Sequence, residues 1–344
     1  MSINSPDQFA IIGENIHATR VVLRNGRRAL TLDDGTEAIP FQDENGNKRY
    51  LTVPDWFKKT QPYEQGHIKH FLIAMMKGIS EDTAEQDEGK AYVQFEAMRQ
   101  VKAGAQYLDV NVDEVHYDVE IQKRCMKWTI EVLQEVSPVP PSIDSSLVEI
   151  IDVGLEAYDA RAGRPLVNSV AFERLPALDM ALEHDARIII MATSATGMPE
   201  NDEERVANVS DIMERITARG VSLEDIFIDA IVFLISVDQQ NGNHYFNAVR
   251  ALRDRYGDDI HIGGGLSNVS FGMPSRKLIN ETFIFLGLEA GIDSGIIDPV
   301  ATKLSSVFDL DMESEGFRLA RDMLLGRDDF CMNFIQAFRD GRLR

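Results

Sequence analysis

Between about residue 90 and residue 298, short apolar runs alternate with amphipathic stretches of helical length, and this rhythm admits few folds. Helices are predicted over 85–103, 114–136, 146–159, 173–184, 202–219, 243–256 and 275–290. They separate strand-like runs at 107–111, 141–144, 165–168, 187–191, 226–229, 260–263 and 294–298. Gly104, Gly163, Gly220 and Gly291 stand where helices ending before a strand need a left-handed cap. Counting 9–13 as the first strand gives eight βα units, which in 344 residues favours a closed (β/α)8 TIM barrel over an open doubly wound sheet. One barrel domain over 1–344 is expected.

Residues 18–85 break the rhythm. A hairpin through Asn25-Gly26 and a second turn at 43–46, followed by 48–53, predict a β-rich insertion after the first strand. A helix over 62–77 is expected to carry His67 and His70, and the stretch of about 300–344 reads as C-terminal helices.

Several strand-like runs depart from the Val/Ile/Leu rule near or at their last position. Tyr107-Leu-Asp-Val-Asn111 carries Asp109 and Asn111, and Pro141-Ser-Ile-Asp144 ends on Asp144. Asn168 closes Pro165-Leu-Val-Asn168, Asp229 closes Ile226-Phe-Ile-Asp229, and Asn268 closes Ile262-Gly-Gly-Gly-Leu-Ser-Asn268. Asp and Asn are also common helix caps and turn residues, so each alone has an ordinary explanation. The repetition points further, because a buried carboxylate is costly unless it is hydrogen-bonded. At the C-terminal ends of parallel strands such groups converge on one mouth. A ligand rich in N–H donors satisfies them. A pterin edge does so, and guanidinium, purine and sugar ligands remain open on the chemistry alone.

Composition removes other classes. With 44% hydrophobic and 26% charged residues the chain is ordinary globular protein. A formal net charge of −21 opposes nonspecific binding to nucleic acid or an anionic membrane. Cys125 and Cys331 stand apart without metal-like spacing, so a reducing cytoplasm is expected, with no disulfide framework and no zinc site. Residues 1–8 lack the regions of a signal peptide, and no apolar stretch has the length of a membrane span. His67-x-x-His70 has no third ligand nearby, so solvated or partner-facing histidines are expected there. His116 is expected at a helix start on the surface, and neither a Walker A nor a dinucleotide glycine motif is present.

A succession of short motifs then carries a resemblance. It runs Ile12-Gly-Glu-Asn-Ile16, Gly104-Ala105 before Leu108-Asp-Val-Asn-Val112, Ile143-Asp-Ser145, Val167-Asn-Ser169, Ile228-Asp229 and Gly265-Leu-Ser-Asn-Val-Ser270. The chain thereby resembles the pterin-binding barrel family, and within it the methyltetrahydrofolate:corrinoid methyltransferases. Residues 265–270, with Arg276, Leu278-Ile-Asn280 and Thr282-Phe283, are its most specific part. The similarity covers about 9–16 and 90–300 and leaves out the insertion.

The resemblance implies an enzyme that moves a methyl group between the cobalt of a corrinoid and N5 of tetrahydrofolate. The Asp-x-His-x-x-Gly signature of corrinoid-carrying domains is missing, so the cobalamin is expected on a partner corrinoid protein. Transfer from methylcorrinoid to tetrahydrofolate, giving 5-methyltetrahydrofolate, is the preferred direction, and a homodimer is expected. By the same resemblance Asp144, Asn168 and Asp229 hold the pterin ring, with Asp109 and Asn111 beside it. Asn268 hydrogen-bonds around N5, while Ser267 and Arg276 flank the folate. Two departures stand out: Gly13-Glu-Asn-Ile-His17 replaces the family's Gly-Glu-Arg-Ile-Asn, and Phe271 replaces a polar residue of some members. Pro274-Ser-Arg-Lys277 is similar to a segment of dihydropteroate synthases. That enzyme, or a noncatalytic folate-binding or corrinoid-protein docking module, is the alternative.

Overall fold

The computed structural model describes residues 3, 5–43 and 45–343. Readings that involve Met1, Ser2 and Asn4 at the N-terminus, or Glu44 in the 43–46 turn, lie outside the described residues. Eight parallel strands form the main sheet: β1 Ala10–His17, β2 Tyr107–Asn111, β3 Pro141–Asp144, β4 Leu166–Val170, β5 Arg187–Met191, β6 Ile226–Asp229, β7 His261–Gly263 and β8 Ser294–Ile297. Each strand neighbours the next in sequence, and β1 also pairs with β8. The remaining pair is joined by Asp293 N donating to Ile262 O at 3.1 Å and Ile296 N donating to Gly264 O at 2.9 Å. The sheet therefore closes, and the chain folds as a (β/α)8 barrel.

The strands form for the expected reason. Ile188-Ile-Ile190 and Ile226-Phe-Ile228 are buried throughout, as parallel strands with covered faces require. Helices Thr83–Lys102, Val119–Gln134 and Asp202–Thr217 begin where Asp82, Asp118 and Asn201 accept amide hydrogens of the first turn. Between β5 and β6 the register sets Met191 beside Asp229, and between β6 and β7 it sets Asp229 beside Gly263.

The insertion is β-rich but wired differently from the expectation. Val21–Leu23 turns at Gly26, whose N–H donates to Leu23 O, yet it pairs antiparallel with His67–Lys69 and forms no local hairpin. Glu37–Gln42 and Lys48–Thr52 do form the hairpin around residues 43–46, with Leu30–Thr31 added at the edge. The helix expected over 62–77 is split into Gln61–Glu64 and His70–Gly78, with strand His67–Lys69 between them. His67 and His70 therefore share no helical face. His70 is buried, its Nδ1 lies 2.9 Å from the Tyr92 hydroxyl, and burial holds its pKa well below the ordinary value. The C-terminal stretch is helical, in Leu304–Phe308, Glu315–Leu324 and Met332–Arg339. Among the described residues no helix is long and apolar enough to cross a membrane.

The chain divides into two compact units, one of Met1–Ile12, Asn168–Leu182 and Ala186–Arg344, the other of Gly13–Val167 and Glu183–Asp185.

Candidate active site

In the unit spanning Gly13–Val167, the β2–β3 register places Asn111 opposite Asp144 and Asp109 opposite Ser142. Side-chain bonds follow that pairing. Asn111 Nδ2 donates to Asp144 Oδ2 at 2.9 Å, and the Ser142 hydroxyl donates to Asp109 Oδ1 at 2.6 Å. Asp109 and Asn111 are buried and Asp144 is half-buried, so Asn111 and Asp144 stand as one bonded pair with the Asp109–Ser142 pair two residues back along the same strands. Asp113 was not expected. It accepts the Ser145 hydroxyl at 2.6 Å and the Ser146 amide at 2.8 Å, which ties the loop after β2 to the loop after β3. In sequence it looks like any loop acid.

His17, at the end of β1, has a defined tautomer. Its Nδ1 accepts the Thr19 amide hydrogen at 3.2 Å, so the ring proton resides on Nε2. Burial, and then the nearby Arg20 cation, hold its pKa below the usual histidine range. The ring is a neutral N–H donor at neutral pH.

The other unit carries Asn168, Asp229, Ser267, Asn268 and Arg276. Asn168 is half-buried in β4, and the next residue, Ser169, accepts a bond from Arg174 Nη2 at 2.8 Å. Asp229 is half-buried at the end of β6, where its Oδ1 accepts the Ile231 amide hydrogen at 2.8 Å. A Cβ on Gly264 would stand 2.5 Å from that oxygen, so glycine is required where β7 passes this carboxylate. Apolar surroundings raise the Asp229 carboxyl to about 6, against the opposing effects of the Ile231 amide and the Arg205 cation.

Asn268 lies in the short 3-10 turn Leu266–Ser270 that follows β7. It is exposed, and among the described residues its side-chain amide has no hydrogen-bond partner. Its Nδ2 rests 2.8 Å from where a Cβ on Gly265 would be, so that glycine leaves room for it. Arg276 braces the turn from the helix Arg276–Ala290. Its Nε donates to the Ser270 hydroxyl at 3.0 Å and its Nη2 to the Ser267 carbonyl at 2.9 Å. The guanidinium also lies over the Phe271 ring, 4.5 Å from its centre, and the ring remains half in solvent. Arg276 thus spends two donor positions on the turn that carries Asn268.

Arg205 was missed by sequence reading. It occupies the first turn of helix Asp202–Thr217 with no exposed surface and donates to three backbone carbonyls, those of Asn201, Ala230 and Ile231. A signal existed. Arg205 precedes Val209, Ile212, Met213 and Ile216 at helical spacing, so it falls on the apolar stripe. A cleft of about 630 Å³ lies elsewhere, between the insertion and helix Thr83–Lys102, and none of the strand-end residues lines it. Its cations Arg49 and Lys90 pair with Asp87 and Glu135.

Comparison with known proteins adds four findings. Residues 80–298 match the family described as pterin binding enzyme. The methylcorrinoid:tetrahydrofolate methyltransferase of Eubacterium limosum is 31% identical over 267 residues, covering 76% of this chain and 92% of that protein. The methionine synthase of Mycobacterium leprae is 30% identical over 216 residues, which are 58% of this chain but 17% of that longer protein. Among solved structures, dihydropteroate synthase from Xanthomonas albilineans in complex with 7,8-dihydropteroate superposes with a TM-score of 0.51 at 16% identity, over 64% of this chain and 83% of that one. At that identity the likeness concerns the fold.

Proposed function

The chain belongs to the pterin binding enzyme family and is a methyltransferase, and we propose that it moves a methyl group from the cobalt of a partner corrinoid protein to N5 of tetrahydrofolate. Similarity to the Eubacterium methyltransferase over nearly that protein's full length supports the reaction type. Within the chain the observation that carries it is Asn268, an exposed amide with no partner among the described residues, held on a braced turn after a barrel strand. Active sites of such barrels lie at the C-terminal ends of the strands. The same reading takes 1–344 as one barrel domain that acts in the cytoplasm as a homodimer.

The residues fit a pterin in chemical kind. Asp229 presents a carboxylate with one hydrogen bond among the described residues, so it retains acceptor capacity for a ring N–H edge. Asp144 and Asn168 hold the ring with it, with Asp109 and Asn111 beside it, and Asn111 fixes Asp144 by its side-chain bond. Ser267 and Arg276 keep the turn in place, which gives Arg276 a bracing role in addition to any contact with the folate.

With a methylcorrinoid as the second substrate, the N5 lone pair would form the new N–C bond as the Co–C pair stays on cobalt, and the N5 proton would then leave to solvent. The protein's task is to present that lone pair. The Asn268 side-chain oxygen accepts the N5 hydrogen, which aims the lone pair at the methyl carbon, and this bond strengthens as N5 gains positive charge in the transition state.

Mixing the protein with tetrahydrofolate and methylcobalamin, free or on a corrinoid protein, and following the visible spectrum tests this. Folate-dependent loss of the methylcobalt spectrum is expected. No change with either methyl donor overturns it. Folate binding without turnover supports the docking module, and dihydropteroate formed from 4-aminobenzoate and the pterin pyrophosphate supports the synthase.

A further inference from the structure

We propose that Arg205 is a positioning residue for Asp229, acting through the backbone of the loop that follows β6. Its guanidinium joins two chain segments. Nη1 donates to Asn201 O at 2.8 Å, Nε to Ala230 O at 3.0 Å, and Nη2 to Ile231 O at 3.3 Å. Ile231 is held at φ 60°, a left-handed conformation that a β-branched side chain resists. In that conformation its N–H meets Asp229 Oδ1 while its carbonyl meets Arg205. The Ala230–Ile231 peptide gives its N–H to Asp229 and its carbonyl, Ala230 O, to Arg205 Nε, so the geometry links the cation to the carboxylate through one peptide, with no ion pair between them.

A buried guanidinium without a carboxylate in contact is an expensive group. Its place on the apolar stripe of helix Asp202–Thr217 would suit a leucine if packing were its only task. Three carbonyls and the field it casts on Asp229 account for its presence. The other groups bearing on this pair are Asp202 and Glu204 on the arginine's own helix, and Tyr245. Tyr245 stays neutral, since burial raises its pKa well above the ordinary value, and its hydroxyl donates to Gly263 O at 3.0 Å. Arg205 is thus the cation that favours the ionised form of Asp229.

This inference rests on Asp229 as a pterin ligand only for its functional consequence, so the test has two arms. In ligand-free protein carrying 13C at aspartate Cγ, with Asp229→Asn identifying the signal, Arg205→Met should raise the Asp229 titration midpoint by about one unit and Arg205→Lys should restore most of it. An unchanged midpoint in Arg205→Met overturns the proposal. So does a midpoint in Arg205→Lys as high as in Arg205→Met. If Arg205→Met does not fold, Arg205→Lys alone decides: its single ammonium cannot bond both segments, so Asp229 should titrate near wild type while folate binding weakens several-fold. In the binding arm, Arg205→Met should weaken tetrahydrofolate binding about tenfold in wild type and hardly at all in Asp229→Asn, since coupled residues are non-additive. Equal loss in both backgrounds marks a merely structural arginine and overturns the proposal. Failure of the pterin reading shows itself separately, as folate binding indifferent to Asp229→Asn while the titration arm still responds to Arg205.

Discussion

Asp229 and Asp293 are carboxylates of the same unit, at opposite ends of the barrel strands, and the fold treats them in opposite ways. Asp293 lies just before β8 and is fully engaged. Its Oδ1 accepts the Ile262 amide at 2.7 Å and lies 3.2 Å from Arg253 Nη2, while Oδ2 lies 2.9 Å from His261 Nδ1. Its carbonyl accepts the Ala10 amide as well, so one residue ties together the starts of β1, β7 and β8. The Asp229 carboxylate, at the end of β6, has one hydrogen bond among the described residues and a pKa raised to about 6. A closed set of partners marks a carboxylate that holds the barrel. An open one marks a carboxylate kept for something outside the chain.

The comparison can be broken at either end. Asp293→Ala should have the largest effect on stability, a loss of about 3–5 kcal/mol, because it leaves the buried Ile262 amide unsatisfied and removes the carboxylate that faces both Arg253 and His261. Denaturant unfolding measures it, and a loss below about 1 kcal/mol would remove the structural role.

Asp229→Asn should do the opposite to stability. A carboxyl whose folded pKa is raised above its unfolded value binds protons more readily when folded, so its ionisation opposes folding. That penalty is absent below about pH 4, grows as pH rises toward about 6, and stays constant above it. At pH 7 the variant should therefore be more stable than wild type by up to about 3 kcal/mol, an upper bound set by the size of the shift. Near pH 4 the two should converge. A variant less stable than wild type at pH 7 would mean that Asp229 is as structural as Asp293.

The smallest effect is a slope. Folate N–H groups need the ionised Asp229, so tetrahydrofolate affinity should fall as pH drops below about 6, by no more than tenfold per unit, and the slope should vanish in Asp229→Asn. Calorimetric titration across pH 5–7.5 reads it, and an identical slope in the variant would assign the proton to another group.

Much of this was legible in the chain because period and punctuation are local. The βα rhythm, the glycine stops and the polar strand ends point to the barrel and to the Asn111–Asp144 pair, which register alone assembles. The insertion misled where pairing is non-local: nothing near Asn25-Gly26 says that Val21–Leu23 will prefer His67–Lys69. That pairing also split the helix expected over 62–77. Asp229 was readable as a polar strand end, but its isolation was not, since this depends on Gly264 passing close and on Ile231 turning left-handed. Arg205 was readable in principle, as a charge on an apolar stripe.

The division of labour at the strand ends puts the most weight on Asn268, and one comparison tests it. In Asn268→Ala, single-turnover methyl transfer should fall about 10²–10³-fold, the usual cost of removing a preorganised hydrogen bond to a reacting atom, while the tetrahydrofolate Kd stays within a few-fold of wild type. Equal losses in rate and in Kd would contradict the account and reduce Asn268 to one more group that holds the ligand.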